Sequence, residues 1–230
     1  MTQDRWTEVD QYFSSRLLGS DPILESALEA SANAGLPLIA VSPNQGKLLQ
    51  MLAQILDASS ILEIGTLGGY STIWLARGMR AGGRLITLEL DPAHAAVAKA
   101  NLARAGLGDV VDVRLGSALD TLPRIKAAGR DPFDMIFIDA DKANIPTYFE
   151  WAVKMSRPGT LIIVDNVVRD GNVVDAESGD ASIQGVRRFV EMLAARKDMS
   201  GTAIQTVGTK GYDGFAIVLV GSPDAMRHSG

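Results

Sequence analysis

Met135-Ile136-Phe137-Ile138-Asp139 and Leu161-Ile162-Ile163-Val164-Asp165-Asn166 share one design: four apolar residues, then a carboxylate. Short apolar runs bounded by polar residues read as strands buried on both faces, as in parallel sheets. If the two are neighbours, their backbones lie roughly 4.8 Å apart and the side chains at their carboxyl ends share one small space. Two bare carboxylates at about 4 Å repel by roughly 4 kcal/mol at an effective dielectric near 20. A proton, a basic side chain or a bound cation relieves that. Asp139, Asp165 and Asn166 are three hard oxygen donors, the ligand type that suits Mg²⁺, Mn²⁺ or Ca²⁺. Strand-end aspartates also cap helices, but the amide of Asn166 at the same end favours the cation.

On either side of this pair, strands and helices alternate. Strands are expected at 60–64, 84–89 and 110–115, then the two carboxylate-ended runs, then 202–207 and 214–220. Helices are expected at 70–79, after Asp91-Pro92 as far as Gly106, after Ser117, and at 145–156 and 182–197. Two helical pieces at about 4–18 and 21–34 lead into a firmer helix at 43–57. Ser42-Pro43-Asn44-Gln45 offers that helix a capping box, and Leu48, Leu49, Leu52, Ile55 and Leu56 form its apolar face. Residues 167–181, rich in Gly, Asp, Asn and Ser, read as a long loop of the functional or mobile kind. Gly208-Thr209-Lys210-Gly211-Tyr212-Asp213 reads as the link of a hairpin. This order predicts an α/β fold, a mostly parallel sheet covered on both faces and closed by one antiparallel strand. We divide the chain into a helical extension (1–40), one α/β domain (41–222) and a tail (223–230).

At 230 residues, 47% of them apolar, the chain can bury the core of a single domain. A formal net charge of −5 without a basic cluster disfavours nucleic acid or an anionic membrane as main partner. The absence of cysteine excludes disulfides, thiolate nucleophiles and Cys-type zinc sites. Two histidines, His94 in a helical stretch and His228 in the tail, nearly exclude a His-rich metal centre or a Ser-His-Asp triad. No apolar run reaches membrane-spanning length and the start lacks a signal-peptide layout, so a cytoplasmic protein is expected.

Open α/β sheets bind ligands beyond the carboxyl ends of their strands, at the switch point beside the first strand. Glu63-Ile64-Gly65-Thr66-Leu67-Gly68-Gly69 sits there, and its glycines let a ligand approach the backbone closely. A tight turn without a ligand explains the same residues. Glu89 adds weight, because an acid ending the second strand accepts hydrogen bonds from ribose hydroxyls. The glycine spacing is not G-x-G-x-x-G, and Glu63, facing the crevice, would repel a pyrophosphate. Both lean away from NAD and toward an adenosine bearing positive charge, such as S-adenosylmethionine.

Four ordered segments carry a resemblance: Ile61-Leu62-Glu63-Ile64-Gly65-Thr66-Leu67-Gly68-Gly69-Tyr70-Ser71, Ile86-Thr87-Leu88-Glu89, Ile138-Asp139-Ala140-Asp141-Lys142 and Val164-Asp165-Asn166. Over roughly 36–220 the chain resembles the cation-dependent O-methyltransferases of the catechol and caffeoyl-CoA type, its Asp-Ala-Asp-Lys form being closer to the caffeoyl-CoA and bacterial branch. The resemblance implies a Rossmann-like methyltransferase fold with a seven-stranded, mostly parallel sheet whose last strand is antiparallel. It implies a homodimer and a catechol-like, ortho-dihydroxylated small molecule as methyl acceptor. It implies that Val41, Glu63, Gly65, Thr66, Ser71, Glu89, Asp139 and the Ala118 backbone hold S-adenosyl-L-methionine. Asp139, Asp165 and Asn166 would then hold Mg²⁺, or Mn²⁺ or Ca²⁺ in its place.

A phenol with a pKa near 10 is ionised roughly one part in a thousand at pH 7, a deficit of about 4 kcal/mol. A divalent ion beside two vicinal oxygens favours the phenolate and fixes its direction. Lys142, three residues past Asp139, is the expected base, since a nearby cation lowers a lysine's pKa; a surface lysine paired with Asp141 is the plainer reading. Asp141 either supports the site or is merely solvated. Tyr148 and Trp151 read as core or crevice wall, and His94 as an ordinary surface residue of its helix. Trp6, Tyr12 and Phe13 form an aromatic group suited to a substrate mouth or a subunit contact. The acceptor is expected between the metal, Lys142 and the 167–181 loop. Rival readings are a tRNA hydroxyuridine methyltransferase of the same family, a nicotinamide-dependent oxidoreductase and a catalytically silent binding module.

Overall fold

The structure, a computed structural model, describes residues 2–130 and 132–221; the tail from 223 and His228 lie outside them. Three helices come first: α1 (Gln3–Leu17), α2 (Pro22–Asn33) and α3 (Pro43–Ile55). Asp21 caps α2 through the amides of Ile23 and Leu24, and Ser42 caps α3 through the amide of Gln45; each helix has Pro in its first turn. Then the alternation begins: β1 (Ser60–Ile64), α4 (Tyr70–Gly78), β2 (Arg84–Glu89), α5 (Pro92–Arg104), β3 (Val111–Leu115), α6 (Ala118–Ala127) and β4 (Met135–Ile138). A short 3-10 turn at Lys142–Asn144 leads into α7 (Ile145–Lys154), followed by β5 (Leu161–Asp165), α8 (Ala181–Ala194), β6 (Met199–Gly208) and β7 (Gly211–Val220). None of the described helices is long and apolar enough to cross a membrane.

The seven strands form one sheet in the order β3-β2-β1-β4-β5-β7-β6. β1 to β5 are parallel, and β7 pairs antiparallel with both β5 and β6. The order reverses between β1 and β4, so the crevice expected of such sheets opens between their carboxyl ends. Ile64 lies opposite Ile138, and Ile138 opposite Val164, which brings the residues after β1, β4 and β5 to one level.

Side chains alternate across a strand, so each sheet face collects its own core. Leu62, Ile64, Ile136, Ile138, Ile162 and Val164 pack against Leu122, Phe149, Val186 and Phe189 of α6, α7 and α8. Ile61, Leu85, Met135, Phe137 and Ile163 pack on the other face against Leu24, Leu49, Ile73, Leu75 and Leu102. Leu24 and Ala27 are therefore core residues, and α2 belongs to the packed body. Within the helical extension read at 1–40, α1 has no buried residue and is held by hydrogen bonds of Gln3 and Asp10.

Two segments differ from expectation. The last strands are longer and their link tighter: pairing runs from Met199↔Val220 to Gly208↔Gly211, leaving Thr209-Lys210 as a two-residue turn. Residues 167–181 are also tied down. Asp213 Oδ1 accepts from the amides of Val168 and Arg169 at 3.0 Å each, Arg187 donates to the Val173 carbonyl, and Gln184 to those of Ala176 and Ser178.

α8 crosses the 3-10 turn at Gly185, where a Cβ would overlap the carbonyl of Lys142. Gly185→Ala should therefore cost about 1–3 kcal/mol of stability through overpacking, read by urea unfolding. A midpoint equal to that of the unaltered protein would mean that α8 does not bear on this turn.

Candidate active site

At the end of β1 the chain turns sharply: Gly65, Leu67 and Gly69 all have positive φ. Gly65 is fixed by sterics, since a Cβ there would overlap the carbonyl oxygen of Asp139, whose own amide donates to Ile64 O at 2.8 Å. Glu89 Oε2 accepts from the amides of Thr66 and Leu67 at 3.3 and 2.7 Å. Its Oε1 accepts from Asp91 N at 2.9 Å. Asn101 of α5 reaches the Gly68 carbonyl at 2.8 Å and the Ala27 carbonyl at 3.2 Å, tying the turn to α2. His94, expected at the open surface, is half-buried, with Nδ1 3.6 Å from Glu89 Oε1.

Glu63 does not face the crevice. The pleat of β1 sends it under α4, fully buried, where Ser71, Thr72 and Thr87 donate their hydroxyls to its carboxylate. Ser71 does line the cavity, so Glu63 acts on the crevice through Ser71. Burial pushes its carboxyl up to about 7, against the pull of three hydroxyls, with the charge of Asp139 adding to the rise.

The cavity outside the strand ends has a volume of about 1930 Å³. It is lined at one end by Val41, Gly65, Thr66, Ser71, Glu89 and Ala118, and at the other by Asp139, Lys142, Asp165 and Asn166. Lys142 Nζ lies 2.8 Å from Asp139 Oδ1, so its partner is Asp139 and not Asp141. Asp141 instead accepts from the Tyr148 hydroxyl and the Asn144 amide, which pins the turn carrying Lys142. Tyr148 is buried and lines the cavity; Trp151, also on α7, is partly buried against the core.

Asp165 is 5% exposed. Burial raises its pKa, the nearby charge of Asp139 raises it further, and Lys142 opposes both. Its Oδ1 accepts from Asn166 N at 2.8 Å and its Oδ2 from Gln45 Nε2 at 2.7 Å. The capping box is thus only half formed: Ser42 takes the Gln45 amide, but the Gln45 side chain crosses to Asp165. Asn166 sits in the left-handed region at φ 58, and its side chain makes no hydrogen bond among the described residues.

These residues fit a divalent cation. Two carboxylates repel each other in a half-closed space, and a free amide oxygen stands beside them, all hard donors. Among the described residues no three His, Cys, Asp or Glu side chains are grouped to hold a metal; the set here is two aspartates and an amide.

The remaining wall was not foreseen. Of residues 167–181 only Arg169 lines the cavity. Leu38, Ile39 and Asn44 complete it with the hairpin tip at 206–211. Asp10 of α1 accepts from Thr209 N at 2.8 Å and from Asn44 Nδ2 at 3.2 Å, and Lys210 Nζ donates to Leu38 O at 2.7 Å. Trp6, Tyr12 and Phe13 do not line it; Tyr12 and Phe13 meet edge-on at 5.5 Å between centroids, outside.

Residues 13–215 match the family model described as O-methyltransferase. A curated relative, catechol O-methyltransferase of Niastella koreensis, is 53% identical over 220 residues, covering 96% of this chain and 100% of that protein. The crystal structure of an O-methyltransferase from Bacillus cereus in complex with SAH is 57% identical, with TM-score 0.94 over 95% of this chain and 100% of that one. The O-methyltransferase TomG of Streptomyces achromogenes, solved with SAM, is 53% identical, with TM-score 0.93 over 96% and 100%. This chain belongs to the S-adenosylmethionine-dependent O-methyltransferase family, on the Rossmann-like fold described above.

Glu63 makes a testable demand on stability. Its folded pKa of about 7 stands above the ordinary 4.5, so between those values the folded chain holds the extra proton. Stability from this group is present below pH 4.5 and falls as pH rises to about 7, by on the order of 3 kcal/mol. Glu63→Gln removes the titration. The stability difference between the unaltered protein and this variant, from urea unfolding, should therefore shrink across that window and level off above it. A difference that stays constant with pH would return Glu63 to the ordinary carboxylate range.

Proposed function

We propose that this chain moves the methyl group of S-adenosylmethionine to one hydroxyl of an ortho-dihydroxylated aromatic, with Mg²⁺ or a similar ion held by Asp139, Asp165 and Asn166. One observation carries the reading: an amine, Lys142 Nζ, stands 2.8 Å from Asp139 in the same cavity as Asp165 and Asn166. The word catechol in the name of the Niastella koreensis relative supports the acceptor class.

The cofactor half is the crevice lined by Val41, Gly65, Thr66, Ser71, Glu89 and the Ala118 backbone. Glu89 Oε1, with one backbone donor, retains room to accept from a ribose hydroxyl. When bound, the cation supplies positive charge that favours ionisation of a neighbouring hydroxyl. Lys142 would act as the neutral amine, its own proton first lost to solvent beside the bound cation, and would then take that hydroxyl's proton on Nζ. The oxygen's electron pair then forms the new bond to the methyl carbon as the carbon–sulfur bond breaks, its electrons going to sulfur. The fixed floor between Gly65 and Asp139 holds donor and acceptor halves in line, and such alignment contributes several kcal/mol. Gln45 and the Asn166 amide fix the rotamer of Asp165.

We also propose that α1 meets a second copy of the chain. Val9, Tyr12, Phe13 and Leu17 are exposed at spacings of three and four, one apolar stripe on an outer helix.

Labelled-methyl transfer to catechol, with and without chelator, tests the reaction. Asp165→Ala should lower transfer at least 100-fold and weaken Mn²⁺ binding in calorimetry by a similar factor, while S-adenosylmethionine still binds. Full activity of that variant in metal-free buffer would refute the cation assignment. Glu89→Ala should weaken S-adenosylmethionine binding about tenfold; unchanged affinity would remove the ribose role.

A further inference from the structure

Four basic side chains line the cavity: His94, Lys142, Arg169 and Lys210. Three of them face a carboxylate. His94 lies 3.6 Å from Glu89, Lys142 is 2.8 Å from Asp139, and Arg169 Nη1 is 3.8 Å from Asp213. Lys210 has a neutral partner, the carbonyl of Leu38 at 2.7 Å, and no ion pair among the described residues. Asp10, which meets the neighbouring residue Thr209, is committed elsewhere: it accepts from Thr209 N, Thr209 Oγ1 and Asn44 Nδ2.

The position of Lys210 follows from strand direction. Phe215 of β7 pairs with Asp165 at the end of β5, and β7 reaches back from there to Gly211. Thr209-Lys210 therefore overhangs the acceptor end of the cavity, beyond Asp165. The tip is held rigid: Gln3 Nε2 donates to the Gly208 carbonyl at 2.8 Å, and a Cβ at Gly208 would overlap the Asp10 carboxylate. Burial lowers the pKa of Lys210 and the charge of Asp139 opposes that fall, which places the amine in electrostatic reach of Asp139. A fixed ammonium with one of its three donors spent on a carbonyl keeps two N–H donors open to an anion, and a carboxylate binds it more strongly than a carbonyl does.

We propose that Lys210 is a specificity residue that recognises a carboxylate on the acceptor, so that the favoured substrates are ortho-dihydroxylated aromatic acids over their neutral counterparts. This rests on the reaction assigned above. Two hydroxyls of the ring would face Lys142 and the Asp139–Asp165–Asn166 end, and the acidic substituent would face the hairpin tip.

Protocatechuate and its methyl ester make the test, because they share the ring and differ in the charge. The quantity to compare is the ratio of their kcat/KM values in the unaltered enzyme and in each variant, so that ring electronics cancels. The ratio should fall about tenfold or more in Lys210→Met and further in Lys210→Glu, through KM for the acid, and recover in Lys210→Arg. An equal ratio in all four proteins, with both compounds methylated, would overturn the role of Lys210 and leave the reaction standing. A rise in the KM for S-adenosylmethionine in place of the acid's KM would assign the charge to the cofactor and equally overturn it. Failure of the unaltered enzyme to methylate either compound or catechol would bring down the assigned reaction, and this proposal with it. Thermal melts of the variants identify any that fail to fold, and Lys210→Arg keeps the comparison decisive.

Discussion

The close approach of Gly65 to the Asp139 carbonyl is the constraint on which the rest of the molecule depends. It joins the turn after β1 to the end of β4, the two strands between which the sheet order reverses. Because no side chain separates them, the floor of the crevice and the strand that carries Asp139 are one surface. Glu89 and Asn101 hold the turn from outside through its amides and a carbonyl.

The second aspartate is positioned differently. Asp165 follows from sheet register, but its orientation is set by Gln45, 120 residues away on the first turn of α3. Burial and the charge of Asp139 both favour protonating Asp165, and Lys142 opposes them. This end of the cavity is therefore a balance of two acids against one amine, a balance that a divalent cation would tip toward full ionisation. α8 and the Tyr148–Asp141 contact keep that amine's turn in place from behind.

Much of this was legible in the sequence. The parallel strands could be read because they are buried on both faces, so their apolar runs are short and continuous; 60–64 and 84–89 fall on the observed bounds. That Asp139, Asp165, Asn166, Lys142 and Glu89 would line one crevice was legible as well, because the fold gathers strand ends at one edge. The full length of β6 was not. It is an edge strand with exposed residues through its interior, so hydrogen bonds to β7 define it and no apolar pattern marks it. Glu63 was assigned to the crevice because it precedes the glycine turn, yet strand alternation sends it to the other side, under Ser71 and Thr72. Gln45 was read as a local cap; a glutamine at the third helical position has no sequence mark of a partner 120 residues on. Asp10 meets Thr209, and Leu38 meets Lys210, only because the hairpin folds back over α1, a tertiary fact without local signal.

One reversal of strand direction has an evolutionary corollary. Were β7 parallel to β5, its beginning would lie at the far edge of the sheet, and the link from β6 would never come near the reaction. Running it backward delivers a short, exchangeable turn to the mouth of the site, on a hairpin that contributes nothing to the glycine turn or to Glu89. The two residues at 209 and 210 can thus be exchanged, and one wall of the cavity reshaped, while the turn after β1 on the opposite side is left alone.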